Sequence, residues 1–232
     1  MTPSKAPEVG SLEIRSLDMD DIAEASELLA RGFAEEPGNR ALLPDPETRH
    51  RLVVVATTVT LRETIPLGTA HGAVVDGSLA AVAIWHPPGW RPAPLRTLRR
   101  TAVGKLAQAP SLARSVLPAT LVVGRQAHEA IRFVGRRRRA VASASTGRCW
   151  HLAFLATAPQ HRGAGLARGL LDRQLLRCDQ DGAAIWLETT DPVNPPIYER
   201  FGFETVTHIE DAAWLPGLWV MRREPMNGKR GA

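Results

Sequence analysis

The chain is 232 residues long, 44% apolar and 23% charged, with a formal net charge of +5; this composition excludes a disordered or fibrous protein and is long enough to bury one core unaided. The two cysteines, Cys149 and Cys178, lie in apolar stretches, which excludes a disulfide framework and fits a reducing compartment. Charge is uneven: residues 90–148 hold thirteen Arg and Lys against one acid, Glu129, so that stretch is +12 and the remainder −7.

Residues 1–10 carry no apolar leader core, and no segment reaches 18 uninterrupted apolar residues. A cytoplasmic protein without a membrane span is therefore expected. It reads as one domain over 11–222, between flexible ends at 1–10 and 223–232.

Leu12, Ile14 and Leu17 mark a short strand. Asp18 to Asp21 then offers a cap, and Ile22, Ala25, Leu28, Leu29 and Phe33 recur at helical spacing. A loop over 35–46, rich in proline, precedes a second helix over 47–65 that stops at Pro66-Leu67-Gly68. Strands at 69–75 and 79–85 flank Asp76-Gly77-Ser78, where the Asp-Gly pair supplies the positive φ angles of a tight hairpin. From about 90 to 146 the chain is basic, with helical stretches at 95–106 and 112–134 and the run Arg136 to Arg139, and it reads as a helical insertion.

Residues 150–157 form a nearly continuous apolar run and predict a buried strand; the spacing of Leu166, Leu170, Leu171 and Leu175 predicts a helix over 163–177. A buried strand at 183–187, a short helix at 194–201 closed by Gly202, and strands at 203–208 and 214–221 complete a mixed α/β order.

The strongest chemical signal is Arg162-Gly163-Ala164-Gly165-Leu166-Ala167, between the 150–157 strand and the next helix. The first N–H groups of a helix lack intrahelical acceptors and the dipole is positive there, so an oxyanion such as a pyrophosphate is stabilised, and glycines let it approach. A Rossmann site would require glycine or alanine where Arg168 stands, and a phosphate-binding P-loop would require Gly-Lys-Ser/Thr after the glycines. Neither is present.

Downstream stand Leu187-Glu188-Thr189 and Tyr198-Glu199-Arg200-Phe201-Gly202-Phe203. The Arg-x-x-Gly-x-Ala turn after a buried strand, followed in order by these two segments, resembles the GNAT superfamily of N-acetyltransferases. The pattern is closest to puromycin N-acetyltransferase-like members, through Phe33-Ala34-Glu35 with Pro37, Ala81-Val82-Ala83-Ile84-Trp85, and Trp150-x-Leu152-Ala153. The resemblance covers most of 12–221, only loosely across the basic insertion. It implies a GNAT fold: a central mixed, mostly antiparallel β-sheet flanked by helices.

The same resemblance implies acetyl-CoA as co-substrate, its pyrophosphate on the amides of Arg162, Gly163, Ala164, Gly165, Leu166 and Ala167. Its pantetheine arm would lie along Leu155, Ala156 and Thr157. Tyr198, the only tyrosine, aligns with the family's tyrosine and suits protonation of the leaving thiolate; Asn194 is placed to cap its helix and Pro195 to start it. Where many members carry an asparagine seven residues before the tyrosine, this chain has Asp191, and Asn194 could substitute for it.

Glu188 ends an otherwise apolar strand face, where burial would raise its pKa, and is the leading base candidate; His86 and His151 are alternatives. Glu35, Glu36, Trp85, His86 and His151, with Trp90, are expected around the acceptor amine. No His or Cys pairing supports a metal, and His50, His128, His161 and His208 receive no role. With no base beside either cysteine, direct transfer without an acetyl-enzyme is expected.

The acceptor expected is a small primary amine, such as an antibiotic or aminonucleoside, with a protein lysine or N-terminus as the alternative. A reading from a different class is a nucleic-acid-binding acetyl-CoA sensor resting on Arg136 to Arg139. Those arginines could also reach the 3′-phosphate of CoA. The sequence is compatible with a homodimer and leaves oligomeric state open.

Overall fold

A computed structural model describes residues 12–91, 127–210 and 216–226. The expected helices at 95–106 and most of 112–134 lie outside the described residues, as do residues 1–11 and 227–232; of the end expected to be flexible from 223, Arg223 is part of a strand and the Met226 amide donates to Asp179 at 2.8 Å.

Strand β1 (Leu12–Ser16) leads into α1 (Ile22–Phe33), whose buried Ala25, Leu28 and Leu29 are those the spacing picked out. The aspartates before it act differently from a simple cap. Asp18 accepts from the Asp20 and Asp21 amides at 2.9 and 3.3 Å, while Asp21 turns back to hold Arg15 at 2.6 and 2.7 Å. The expected loop over 35–46 contains a short helix, α2 (Pro37–Leu42), started by proline, which needs no N–H acceptor there. Helix α3 (Pro46–Thr64) is capped by Asp45, which accepts from the Thr48 amide at 2.8 Å.

Strands β2 (Ala70–Val75) and β3 (Ser78–His86) form the expected hairpin, with Asp76 at φ 50° and Gly77 at φ 81° in the turn. Helix α4 (Ala127–Ala144) closes the basic stretch and carries the arginine run past position 134. Then follow β4 (Cys149–Thr157), α5 (Leu166–Asp181), β5 (Ala184–Thr189), α6 (Asn194–Glu199), β6 (Glu204–Ile209) and β7 (Leu218–Arg223).

The seven strands make one sheet in the order β1-β2-β3-β4-β5-β7-β6, antiparallel except for the parallel pair β4 and β5, which α5 connects. This is the mixed, mostly antiparallel sheet flanked by helices that the sequence implied. Alternation sorts β-strand side chains to two faces. Trp85, Trp150, Ile185, Leu187 and Met221 pack under α5, while Val82, Ile84 and Ala156 pack under α1 and α3. Trp186 and Val220, out of phase with Ile185 and Met221, face α4.

Small side chains set the layer spacing: a Cβ on Gly32 of α1 would sit 2.9 Å from the Ala156 Cβ. The far end is tied by Arg223, 2% exposed, which donates to both Asp179 oxygens at 2.8 and 2.7 Å and to the Phe201 carbonyl at 2.9 Å. Among the described residues, no helix is long and apolar enough to cross a membrane.

Candidate active site

The site begins with a failure of pairing. Strands β4 and β5 are in register only at Cys149, Trp150 and His151 against Ala184, Ile185 and Trp186, although β4 runs on to Thr157 and β5 to Thr189. The register against β3 jumps from Ile84↔Phe154 to Trp85↔Leu152, leaving Ala153 as an extra residue. Such a bulge bends a strand. Beyond it the Ala158 amide donates to the Ala80 carbonyl on the β3 side, so strand alternation turns the backbone groups of Leu155 and Thr157 toward the parted β5 and those of Ala156 toward β3. Of the three residues read as a pantetheine strand, Leu155 and Thr157 offer free main-chain groups and Ala156 is a core residue.

The phosphate turn follows directly. Helix α5 starts at Leu166 and not at Gly163, because Gly163 and Gly165 both hold φ +79°, outside the helical region. Among the described residues, the N–H groups of Gly163, Gly165, Leu166 and Ala167 reach no acceptor, and nothing lies within 4 Å of where a Cβ would stand on either glycine. The backbone is open to a ligand, with the helix dipole behind it. Arg162 and Ala164 are exposed at its rim, their amides bonded to Pro159 and His161.

At the C-terminal end of β5, the α1–α2 junction crosses over. The Gly38 amide donates to Thr190 Oγ1 at 2.9 Å, and the Thr190 amide donates to Glu36 Oε1 at 3.2 Å. Burial, with the charges of Asp191 and Glu188 adding to it, raises the Glu36 pKa above the usual carboxyl value, against the lowering effect of the Thr190 hydrogen bonds. Tyr198 stands close enough for Glu36 to affect it: burial first, then the Glu36 charge, pushes the phenol well above its ordinary value. Its ring packs edge-on against Phe203 with centroids 5.7 Å apart, and its hydroxyl makes no hydrogen bond among the described residues. Glu35 is 2.9 Å from Arg49 in an ion pair.

Several expected roles change. Asn194 does not cap α6: the preceding Val193 is itself helical, and the Asn194 amide group donates to Thr189 Oγ1 at 2.9 Å. Trp85 is 0% exposed in the α5-side core, so its indole is closed to an acceptor. Glu188 accepts from Arg137 on α4, at 2.9 Å from Nε and again from Nη2, so it meets a guanidinium where the sequence suggested apolar burial. His86 and His151 are joined Nδ1 to Nδ1 at 3.1 Å, each stacked on an indole, Trp90 at 3.6 Å and Trp186 at 3.8 Å. Burial lowers their pKa values to about 4 and about 3, which makes both weak bases. The Arg137–Glu188 bond and the Glu36–Thr190 bond join segments far apart in the chain, and no local pattern announces either.

Cys149 and Cys178 are free and buried, and burial pushes both thiols to about 11. Neither lies on the parted strands' open edge. Both would remain protonated near neutral pH, which disfavours a thioester route.

Residues 137–206, from within α4 into β6, match the model of the GNAT acetyltransferase domain. An uncharacterized N-acetyltransferase of Schizosaccharomyces pombe is 35% identical over 79 residues, 33% of this chain and 32% of the relative, so the match spans about a third of that protein. Among solved structures, histone acetyltransferase HPA2 and related acetyltransferase from Corynebacterium glutamicum aligns over 93% of this chain and 97% of its own, with TM-score 0.60 and 18% identity. Polyamine N-acetyltransferase of Drosophila melanogaster aligns over 92% and 100%, with TM-score 0.54 and 18% identity. A mosquito arylalkylamine N-acetyltransferase, like 5b, aligns over 92% and 100%, with TM-score 0.56 and 16% identity. At these identities the likeness is one of fold.

Proposed function

We propose that this chain, carrying a GNAT acetyltransferase domain on that fold, moves acetyl from acetyl-CoA directly to the primary amine of a small molecule. The observation that carries the reading is the parting of β4 from β5 after His151, which exposes the Leu155 and Thr157 backbone beside the open glycine turn. The turn residues Gly163, Gly165, Leu166 and Ala167 would hold the pyrophosphate, and the free edge of β4 the pantetheine arm. An N–H on that edge can face the oxyanion that forms at the thioester carbonyl.

In this scheme Glu36, rather than Glu188, takes the ammonium proton, because burial raises its pKa above the usual carboxyl value and no cation pairs with it among the described residues, whereas Glu188 is held by Arg137. The free amine attacks the carbonyl carbon, the C–N bond forms and the C–S bond breaks. Tyr198, kept protonated by its surroundings, gives its proton to sulfur, and the proton lost from the amide nitrogen balances that transfer.

A small acceptor is favoured over a protein tail by how the acids are used. Arg49 pairs with Glu35 and Arg137 on α4 pairs with Glu188, so two of the three candidate acids are neutralised. A groove for a cationic peptide would need them free. The puromycin-like sequence pattern points to an antibiotic or aminonucleoside, and the polyamine and arylalkylamine acetyltransferases that share the fold make other small amines worth testing. Colorimetric detection of free CoA thiol over an amine panel including puromycin tests this reading. Release that depends on a small amine supports it; release only with peptides would transfer the activity to a protein acceptor, and no acetyl-CoA binding would refute it.

A further inference from the structure

The arginine run of α4 has no single destination. Arg137 goes to Glu188, Arg138 is exposed, and Arg136 and Arg139 turn to a cleft of about 680 Å³ between α4 and the edge strand β6. Ser143 on α4 and Thr207 and His208 on β6 complete its polar wall. Neither Arg136 nor Arg139 has an ion-pair or hydrogen-bond partner among the described residues, and the Arg136 Nε is buried with nothing to donate to. An orphaned guanidinium N–H is costly unless an acceptor completes it.

The cleft is separate from the acetyl-CoA slot. Helix α4 packs on the sheet face of Trp186 and Val220, and α5 with its glycine turn lies on the face of Ile185 and Met221. These arginines therefore do not extend the pyrophosphate turn toward the 3′-phosphate.

We infer that the cleft lined by Arg136, Arg139, Ser143, Thr207 and His208 binds a small organic anion through a phosphate or carboxylate group. Two guanidinium forks with hydroxyls beside them suit the several acceptor atoms of an oxyanion. Its volume suits a metabolite. Glu210 also lines the cleft, its exposed carboxylate 3.7 Å from His208, and a negative charge there opposes an extended polyanion more than a single oxyanion held by the two arginines, which favours the small ligand.

The test is calorimetric titration of the full chain with inorganic pyrophosphate and, separately, citrate, each with and without saturating acetyl-CoA. Binding that persists in acetyl-CoA and weakens about tenfold in Arg136→Met or Arg139→Met, but not in Arg138→Ala, is expected. Ser143→Glu, at an exposed position, puts a carboxylate into the cleft without disturbing the core and should abolish the same binding even if Arg136→Met folds poorly. Preference between the two anions distinguishes a phosphate from a carboxylate ligand. Absence of binding at millimolar anion, binding removed by acetyl-CoA, or indifference to all three cleft variants would overturn the assignment. So would tighter binding of duplex DNA that the same variants abolish. None of these outcomes depends on the acetyl-transfer reaction.

Discussion

Replacing Tyr198 with phenylalanine separates proton transfer from packing. The Tyr198 ring keeps its edge contact with Phe203 in the variant, and the hydroxyl lost has no hydrogen-bond partner among the described residues. Folding stability should therefore change by no more than about 0.5 kcal/mol. In the proposed scheme the phenol acts only as the thiolate leaves, so the acetyl-CoA KM should hold while kcat falls roughly 10²-fold, about 2.7 kcal/mol of barrier. Initial rates of CoA release, with a thermal melt of each protein, measure both quantities. Because burial and the Glu36 charge raise the phenol above its ordinary value of 10.0, wild-type kcat should show no alkaline fall from tyrosine ionisation below that pH. A kcat within about twofold of wild type, or a raised KM at constant kcat, would refute the acid role and leave Tyr198 as a packing residue.

Glu36→Gln should remove the acid limb of kcat/KM: the raised pKa means the wild-type base is lost as pH falls through a value above 4.5, which a pH–rate profile will locate. The same carboxyl binds its proton more tightly folded than unfolded, so stability falls as pH rises through that window, and Glu36→Gln should melt higher than wild type at pH 8. Gly165→Val forces a β-branched residue to φ +79°, a strain of about 1–3 kcal/mol that the turn relieves only by losing its shape, so the acetyl-CoA Kd should rise about 5- to 150-fold in calorimetry. Arg223→Met leaves Asp179 without its guanidinium and should destabilise by about 3–5 kcal/mol in denaturant melts. The Asp179 pKa is lowered chiefly by that pair, so wild-type stability should be lost as pH falls below the ordinary value of 3.8, and the variant should lack this dependence.

Legibility followed locality. The hairpin at Asp76-Gly77, the apolar stripe of α1 and the buried run of β4 are set by neighbours within a few residues, and each lies within a residue or two of where periodicity puts it. Helix α5 was misplaced at its start because glycine spacing looks the same in a first turn and in the left-handed turn that precedes one; only φ distinguishes them. Strand β5 runs two residues beyond the apolar segment because Glu188 is accommodated by Arg137, 51 positions earlier. Asn194 had a capping residue's chemistry, but Thr189 offers its side chain a nearer acceptor. Trp85 carried no sign of which sheet face it would occupy, since β3 is apolar on both. Puromycin-like specificity depends on the shape of the acceptor end, which the motifs do not encode.

The site's location follows from topology more than from any one motif. Parallel pairing of β4 and β5 requires a crossover, and α5 supplies it, so α5 must begin at the end where β4 stops. The positive end of a helix dipole is thereby brought to the C-terminal ends of both strands. The bulge at Ala153 then separates those ends, freeing the Leu155 and Thr157 backbone without exposing a hydrophobic face, since Leu155 still packs in the α5-side core. Tyr198 lies on the short helix that follows β5, whose Asn194 side chain donates to Thr189, and Glu36 accepts from the amide of Thr190 just past the strand, so both are held near the end of β5. In the proposed scheme the anion cradle, the free strand edge, the acid and the base all belong to that one opening in the sheet. Closing it by pairing β4 and β5 along their full lengths would remove all four relations while leaving the sequence motifs intact.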